Sequence, residues 1–61
     1  MTLYVYKIKE DVKTESWDDI DYNNDLELVH EIEGETNEEC EEKMYELGFD
    51  PDCMTSTYTR I

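Results

Sequence analysis

Apolar and polar positions alternate along three short stretches of this chain, and a helical repeat lies between the second and the third. Residues 2–9 (TLYVYKIK) are rich in aromatic and β-branched side chains on both faces, which predicts a central strand. Residues 26–33 (LELVHEIE) and 55–61 (TSTYTRI) alternate with a period of two. This pattern predicts a second strand and a terminal third strand.

The second predicted strand has one apolar and one acidic face. The apolar face, expected to pack on the core, consists of Leu26, Leu28, His30 and Ile32. The opposite face consists of Glu27, Val29, Glu31 and Glu33. A strand of this kind packs on one side and meets water on the other, and its charges discourage edge-to-edge pairing with another chain.

A helix is predicted over residues 37–47, between the second and third strands. Thr36 can accept a hydrogen bond from the backbone N–H of Glu39, whose carboxylate can reach back to the N–H of Thr36, as in a capping box. One apolar stripe at helical spacing follows, made by Cys40, Met44 and Leu47. Gly48 supplies the left-handed stop, and Phe49 supplies the hydrophobic contact beyond it.

The order strand, strand, helix, strand predicts one small α+β domain over residues 1–61. A right-handed crossover makes the second and third strands parallel to each other. The expected sheet is therefore three-stranded, ordered 2-1-3 and described as mixed, with the first strand central and antiparallel to both neighbours. The helix is expected to cover one face. The other face, with its tyrosines or its acidic row, is expected to stay open, and residues 10–25 to form a long loop held by Trp17 and Tyr22.

Negative charge dominates the composition. The chain has eighteen Asp and Glu against five Lys and Arg, a net charge of −13, and residues 10–52 contain all the carboxylates with only two lysines. So dense a charge repels nucleic acid and anionic membranes and suits a basic partner protein, so we expect no direct binding to either. Crowded carboxylates should also raise one another's pKa values.

No stretch of the sequence predicts a membrane span or an export signal. A span needs about 20 predominantly apolar residues, and no such run is present. The N-terminus does not combine a basic region with an apolar one, so a cytoplasmic location is expected.

Three sets of carboxylates form the candidate partner-binding surface. They are Glu27, Glu31 and Glu33 on the second strand, Glu38, Glu41, Glu42 and Glu46 on the helix, and Asp18, Asp19, Asp21 and Asp25 in the loop. Alternate strand residues rise about 6.6 Å, and helix residues three or four apart lie about 5–6 Å from each other. Rows with these spacings can imitate nucleic-acid phosphates, although a merely solvated surface is the alternative.

The loop also contains a weak calcium-binding pattern. Its candidate ligands, at EF-hand-like spacing, are Asp19, Asp21, Asn23 and Asp25. The pattern then fails, because Asn24 replaces the usual glycine and His30 replaces the bidentate glutamate. An acidic turn with Asx hydrogen bonds is the better interpretation.

Enzymatic signals are weak, and no catalytic residue or cofactor is predicted. His30 is expected to be a satisfied core histidine rather than a general base. Cys40 and Cys53 are expected to be small buried side chains in a reducing cytoplasm, and whether they pair is left open. With His30 they provide only three zinc ligands, without a recognised spacing.

In size, acidity and lack of an enzyme motif, the chain resembles small acidic bacteriophage proteins that act against host nucleic-acid machinery. This broad class comprises DNA mimics, anti-CRISPR proteins, and inhibitors of restriction enzymes and uracil-DNA glycosylase. The resemblance implies a stoichiometric inhibitor in the host cytoplasm that occupies a basic groove of a host protein, with nucleic-acid-binding proteins as the candidate partners. The alternatives are a regulator that docks on a host enzyme or polymerase through its sheet or aromatic face, and a Ca²⁺-binding acidic module.

Overall fold

A computed structural model describes residues 1–13 and 16–60 of the chain. Its strands are β1 (Thr2–Ile8), β2 (Leu26–Glu33) and β3 (Met54–Thr57), its helix is α1 (Asn37–Glu46), and a short 3-10 helix spans Trp17–Asp19. The sheet has the order β2-β1-β3. This confirms the predicted α+β fold and strand order. The predicted antiparallel pairing of β1 with both neighbours is also confirmed, and only the label of a mixed sheet does not hold, because both hydrogen-bonded pairs are antiparallel.

The N-terminus of α1 forms where the capping pattern predicts it, with one difference. The Thr36 hydroxyl accepts a hydrogen bond from the Glu39 backbone N–H at 3.2 Å, as expected. The Glu39 carboxylate instead accepts from the backbone N–H of Glu35, also at 3.2 Å. The carboxylate therefore caps the chain one residue earlier than the capping box requires, and still satisfies a donor outside the helix.

The C-terminus of α1 follows the predicted stop, but the apolar stripe is shorter. Gly48 has a φ of 92°, which a glycine adopts without strain, and Phe49 packs against the core. Cys40 and Met44 are buried, whereas Leu47 is 55% exposed. Leu47 is thus not a core residue as the stripe predicted, because the helix ends at Glu46 and Phe49 fills the adjoining core position.

A β-bulge in β2 divides the apolar face that the alternation predicted. Val5 pairs with His30 while Tyr6 pairs with Leu28, so Val29 is an extra residue on β2. Below the bulge, Leu28 packs with Tyr6 on one face of the sheet. Beyond it, the side chains change faces, and His30 lies half-buried at the irregularity instead of in the core.

Both faces of β1 are covered, which corrects the expectation of an open sheet face. The helix side contains a cluster of Leu3, Val5, Ile32, Cys40 and Met44, with Val29 packed against it. The other side contains a cluster of Tyr6, Ile20 and Leu26, flanked by Tyr4, Ile8, Val12, Trp17 and Leu28. The connection between β1 and β2 therefore acts as a second layer. Its predicted anchor is confirmed, since Trp17 packs here and stacks on Tyr22 with ring centroids 6.4 Å apart.

β3 is shorter than the stretch 55–61 predicted. After Thr57 the chain bends, because the Thr57 hydroxyl accepts a hydrogen bond from the backbone N–H of Thr59 at 3.2 Å. The Tyr58 hydroxyl donates to the carbonyl of Asn37 at 3.3 Å and ties the chain to the start of α1. The alternation at the C-terminus thus reflects a turn as well as a strand, and Ile61 lies outside the described residues.

Candidate acidic binding surface

The predicted partner-binding carboxylates are exposed, except that Asp25 is half-buried. Within residues 1–13 and 16–60 the structure shows one ion pair, between Lys43 and Glu39, whose closest atoms are 3.3 Å apart. Lysine and arginine therefore neutralise little of this surface. The electric fields of these carboxylates therefore add instead of cancelling.

The outer face of α1 carries the densest row of carboxylates. The row consists of Glu38, Glu41, Glu42 and Glu46. Cys40 and Met44 bury the opposite side of the helix, and this fixes which residues face solvent. Tyr45 lies among the carboxylates, is 66% exposed, and packs edge-on against Phe49 with ring centroids 6.0 Å apart.

Lys43 is the cation on α1, and it points to the side of the helix rather than into the acidic row. Its ammonium group donates to the carbonyl of Glu33 at 2.7 Å, which fastens the helix to the end of β2. The backbone N–H of Glu35, and secondly Lys43, lower the pKa of Glu39. For this carboxylate the expected rise in pKa is wrong, because hydrogen-bond donors outweigh repulsion from neighbouring acids.

The strand carboxylates do not form the continuous row that the sequence predicted. Glu27 pairs with Lys7, whereas Glu31 pairs with Tyr4 and Glu33 with Thr2. Paired residues of antiparallel strands share a face. The bulge therefore places Glu27 on the helix side of the sheet, and Glu31 and Glu33 on the other side.

The loop carboxylates are held by local hydrogen bonds. Asp21 accepts from the backbone N–H of Asn23 at 2.9 Å and from the side-chain amide of Asn24 at 2.6 Å. Asp25 accepts from the backbone N–H of Asp21 at 3.0 Å. The Asn24 amide, followed by the Asn23 N–H, lowers the pKa of Asp21, again opposite to the expected rise. These contacts confirm the Asx-turn interpretation.

The same turn does not assemble the proposed calcium ligands. Among residues 1–13 and 16–60, no three His, Cys, Asp or Glu side chains are grouped in a way that could hold a metal ion. Asp19 belongs to the short 3-10 helix, whose start is capped by the Ser16 hydroxyl through the N–H of Asp18 at 3.2 Å. The carboxylates of Asp21 and Asp25 are directed at backbone and amide donors instead.

Cys40 and Cys53 are both free thiols. Cys40 is fully buried on the inner side of α1, as expected of a small core side chain. Cys53 is only half-buried, and its partial burial, together with the negative charge of Asp50, raises its pKa. A thiol with a raised pKa stays protonated at neutral pH and is a poor nucleophile.

The sequence did not reveal a groove between β2 and the end of α1. It has a volume of about 350 Å³ and is lined by Glu31, Ile32, Glu33, Lys43, Glu46 and Leu47. The signal that could have indicated it is the position of Leu47, one residue before the helix stop. A leucine at this position is buried or exposed depending on whether Phe49 fills the adjoining core position.

Comparison with protein-family models, curated proteins and solved structures finds no match to this chain. Within the described residues, no helix combines the length and the apolar character that crossing a membrane requires.

Proposed function

We propose that this protein is a non-enzymatic inhibitor of bacteriophage type. In this role it occupies a basic groove of a host protein that otherwise holds nucleic acid. The observation that carries the proposal is the outer face of α1, where four exposed carboxylates surround Tyr45 and no lysine or arginine is interspersed. The partner is a basic, nucleic-acid-binding protein in the host cytoplasm.

The spacing of these carboxylates supports mimicry of a phosphate backbone. Residues three and four apart on a helix lie about 5–6 Å from each other, a distance of the same order as that between successive phosphates along a strand. The helix is fixed by its packed inner side and by the Lys43 link to β2, so the charges are presented without ordering a flexible segment.

The charges and the exposed apolar side chains have different roles in this proposal. A field of one sign accelerates encounter with a basic groove, and this acceleration falls as salt is added. Tyr45 and Leu47 are the large side chains exposed near the acidic row, and their burial would slow dissociation. Docking through an open sheet face is less well supported, because the loop covers Tyr6 and its neighbours.

The test is binding to a panel of basic nucleic-acid-binding proteins at several salt concentrations, with duplex DNA and single-stranded RNA as competitors. Replacing Glu38, Glu41, Glu42 and Glu46 by Gln should slow association about tenfold at low salt and change dissociation much less. A matched control replaces the exposed Glu10, Asp11, Asp50 and Asp52 by Gln or Asn, which removes the same charge elsewhere.

Mimicry requires that nucleic acid displaces the protein and that the control variant changes association less than about threefold. Equal slowing by both variants would show that net charge, and not the helix face, attracts the partner. Binding that nucleic acid does not displace, or binding to no member of the panel, would contradict the proposal.

A further inference from the structure

The two edges of the sheet differ in their protection against pairing with another strand. β2 forms one edge and β3 the other. The β2 edge is interrupted by the bulge at Val29, and the exposed side chains of Glu27, Glu31 and Glu33 project from it. In addition, the ammonium group of Lys43 donates to the carbonyl of Glu33 at 2.7 Å. Bulges and charged side chains commonly keep an edge strand from pairing with a foreign one.

The β3 edge has none of these features. Its four residues, Met54–Thr57, carry no charge, include no proline and pair with β1 without a register shift. They lie within residues 53–59, the longest run of the sequence without a charged side chain. In a chain with eighteen Asp and Glu, this strand is thus the part that another strand can approach without meeting a charge on the strand itself.

The register directs the backbone groups of Ser56 away from β1. The Ile8 N–H donates to the carbonyl of Cys53 at 2.9 Å, and hydrogen-bonded pairs recur at every second residue of an antiparallel ladder. Thr55 and Thr57 therefore bond to β1, while the N–H and the carbonyl of Ser56 point outward. Within the described chain, no backbone hydrogen bond from another segment reaches Ser56. The edge offers this donor and this acceptor to an added strand.

Exposed carboxylates lie near both ends of this uncharged edge. At the start of β3, the carbonyl of Asp50, an exposed residue, accepts from the N–H of the first strand residue at 2.8 Å. Beyond the other end, the Tyr58 hydroxyl donates to the carbonyl of Asn37 at 3.3 Å, next to the exposed Glu38. Arg60 follows two residues after Tyr58, so the negative charge is stronger at the Asp50 end. Since two copies with a net charge of −13 repel each other, charge favours a basic strand over a second copy.

We propose that the β3 edge takes an additional strand from the partner protein, and that this strand is basic. The inference rests on the proposed function for the kind of partner, and it adds a contact that the acidic helix face does not supply. The added strand donates to the carbonyl of Ser56 and accepts from its N–H, as in other cases of strand addition. These main-chain bonds provide affinity, and the carboxylates at the two ends select for positive charge.

The test uses a synthetic peptide in place of the partner. A heptapeptide that alternates lysine and threonine, with blocked termini, is titrated into the ¹⁵N-labelled protein. It should shift the amide resonances of residues 54–58 with a Kd on the order of millimolar. At a peptide concentration of about ten times the Kd, hydrogen exchange of the Ser56 N–H should slow about tenfold.

Two control peptides separate the backbone from the charge. In one, every backbone nitrogen is methylated, so that the lysines remain and the N–H donors are lost. In the other, glutamate replaces each lysine, so that the donors remain and the charge is reversed. Each control should bind at least about tenfold more weakly than the basic peptide.

Two proline variants make the same change on the two edges of the sheet. Ser56→Pro removes the outward N–H of β3 without removing a bond to β1, a position at which edge strands tolerate proline, and should weaken the basic peptide about tenfold. Glu31→Pro is the control on β2. Glu31 pairs with Tyr4, whose backbone bonds to β3, so its own N–H also points outward. This variant should change the affinity less than about threefold.

A second pair of variants at the same position leaves the backbone donor in place. Ser56→Lys sets a like charge against the lysine peptide and should weaken it about fivefold, whereas Ser56→Thr should change the affinity less than about twofold. Amide spectra of all four variants establish that the fold is intact.

The possible failures are distinguishable. Shifts spread over the carboxylates, equal binding of the methylated peptide, or equal losses in the two proline variants would overturn the edge as a strand site. Shifts of residues 54–58 that depend on the concentration of the protein alone would show that a second copy occupies the edge, and would overturn the basic strand as its occupant. The helix-face proposal would survive each of these results, because it is measured with a protein partner and nucleic-acid competitors. Conversely, the edge can bind the basic peptide when no partner of the panel is displaced by nucleic acid.

Discussion

The two faces of β1 are buried by different kinds of structure. On one side, regular elements supply the cluster around Leu3 and Val5, which are 1% and 0% exposed. On the other side, the cluster around Tyr6 and Leu26 is completed by Ile20, from a connection whose only regular element in its described part is one short 3-10 helix. A strand can thus be buried on both faces even when one of those faces is covered by a loop. We therefore expect the loop side of the core to open at a lower free energy than the helix side.

Truncation on the helix side should have the largest effect. Leu3→Ala removes a nearly fully buried side chain and should cost about 3 kcal/mol in the free energy of unfolding, since the rigid elements around it cannot collapse into the cavity. A domain of this length has a total stability of only about 3–9 kcal/mol, so this loss removes from about a third to all of it. Ile20→Ala, on the loop side, should cost about 2 kcal/mol, because the loop can relax around the gap.

Two optical signals follow the two sides separately. Trp17 is the sole tryptophan and reports on the loop side by fluorescence, while far-UV circular dichroism reports on α1. In Ile20→Ala the fluorescence transition in urea should precede the dichroism transition, and in Leu3→Ala the two should coincide. Coincident transitions and equal costs in both variants would show that the loop is as fully integrated as the helix.

A second prediction concerns how tightly the helix side is packed. A Cβ on Gly34 would lie 2.9 Å from the Cys40 sulfur and 3.3 Å from its backbone nitrogen, so Gly34→Ala should cost about 2 kcal/mol. Removing the sulfur with Cys40→Ala should relieve about 1 kcal/mol of that cost, measured as the coupling in a double-mutant cycle by denaturant unfolding.

Gly48→Ala is the matched control for this cycle. Its Cβ would meet no atom within 4 Å, but the φ of 92° strains any residue with a side chain. The expected cost of about 1 kcal/mol comes from the backbone and should be unaffected by Cys40→Ala. Zero coupling for Gly34 and Cys40 would mean that β2 and α1 move apart easily, and that the helix side is not the tighter one.

The smallest expected effect is electrostatic, and one carboxylate on each side of the sheet should show it. The pKa values of Glu39, at the start of α1, and Asp21, in the loop, are both below their ordinary values. A lowered folded pKa stabilises the fold above the unfolded pKa, and the stabilisation is lost as the pH falls through the folded value. Both contributions should therefore fade between about pH 5 and pH 3, as followed by carboxyl NMR titration.

The substitution Lys43→Met distinguishes the two carboxylates, because Lys43 contributes to the pKa shift of only one of them. It should bring the pKa of Glu39 partly back towards its ordinary value, because Lys43 is the second cause of the shift after the Glu35 N–H. Asp21 should be unaffected, because Asn24 and Asn23 cause its shift. A pKa above the ordinary value for either residue would mean that repulsion among the carboxylates outweighs the local donors.

Local patterns predicted the helix side well because its contacts follow regular periods. The capping sequence around Thr36 and the glycine stop at Gly48 act within one helical turn, so sequence reasoning located α1 to within a residue. The strand order followed from connectivity. The loop side could not be predicted, because Ile20 has no periodic partner and its place in the core depends on the irregular backbone of the connection's described part, residues 9–13 and 16–25.

The candidate site was predicted only in part for the same reason. Exposure of the helix carboxylates follows from the opposite position of Cys40 and Met44 on α1. The division of Glu27 from Glu31 depends on the bulge at Val29, and the alternation in the sequence continues unbroken through it. The groove beside Leu47 depends on Phe49, and not Leu47, packing against the helix-side cluster, and a sequence pattern does not decide between two apolar residues so close together.

The extra residue in β2 also separates the length of this strand from its pairing register. Deleting Val29 would remove the bulge and leave the remaining pairs in place, with Ile32 still opposite Leu3 on the helix side and Glu31 still opposite Tyr4. The loss would be the packing of Val29 against the helix-side cluster. A single codon lost here should therefore be tolerated better than the loss of a paired core residue, and natural variants of this chain should include β2 strands with and without this residue.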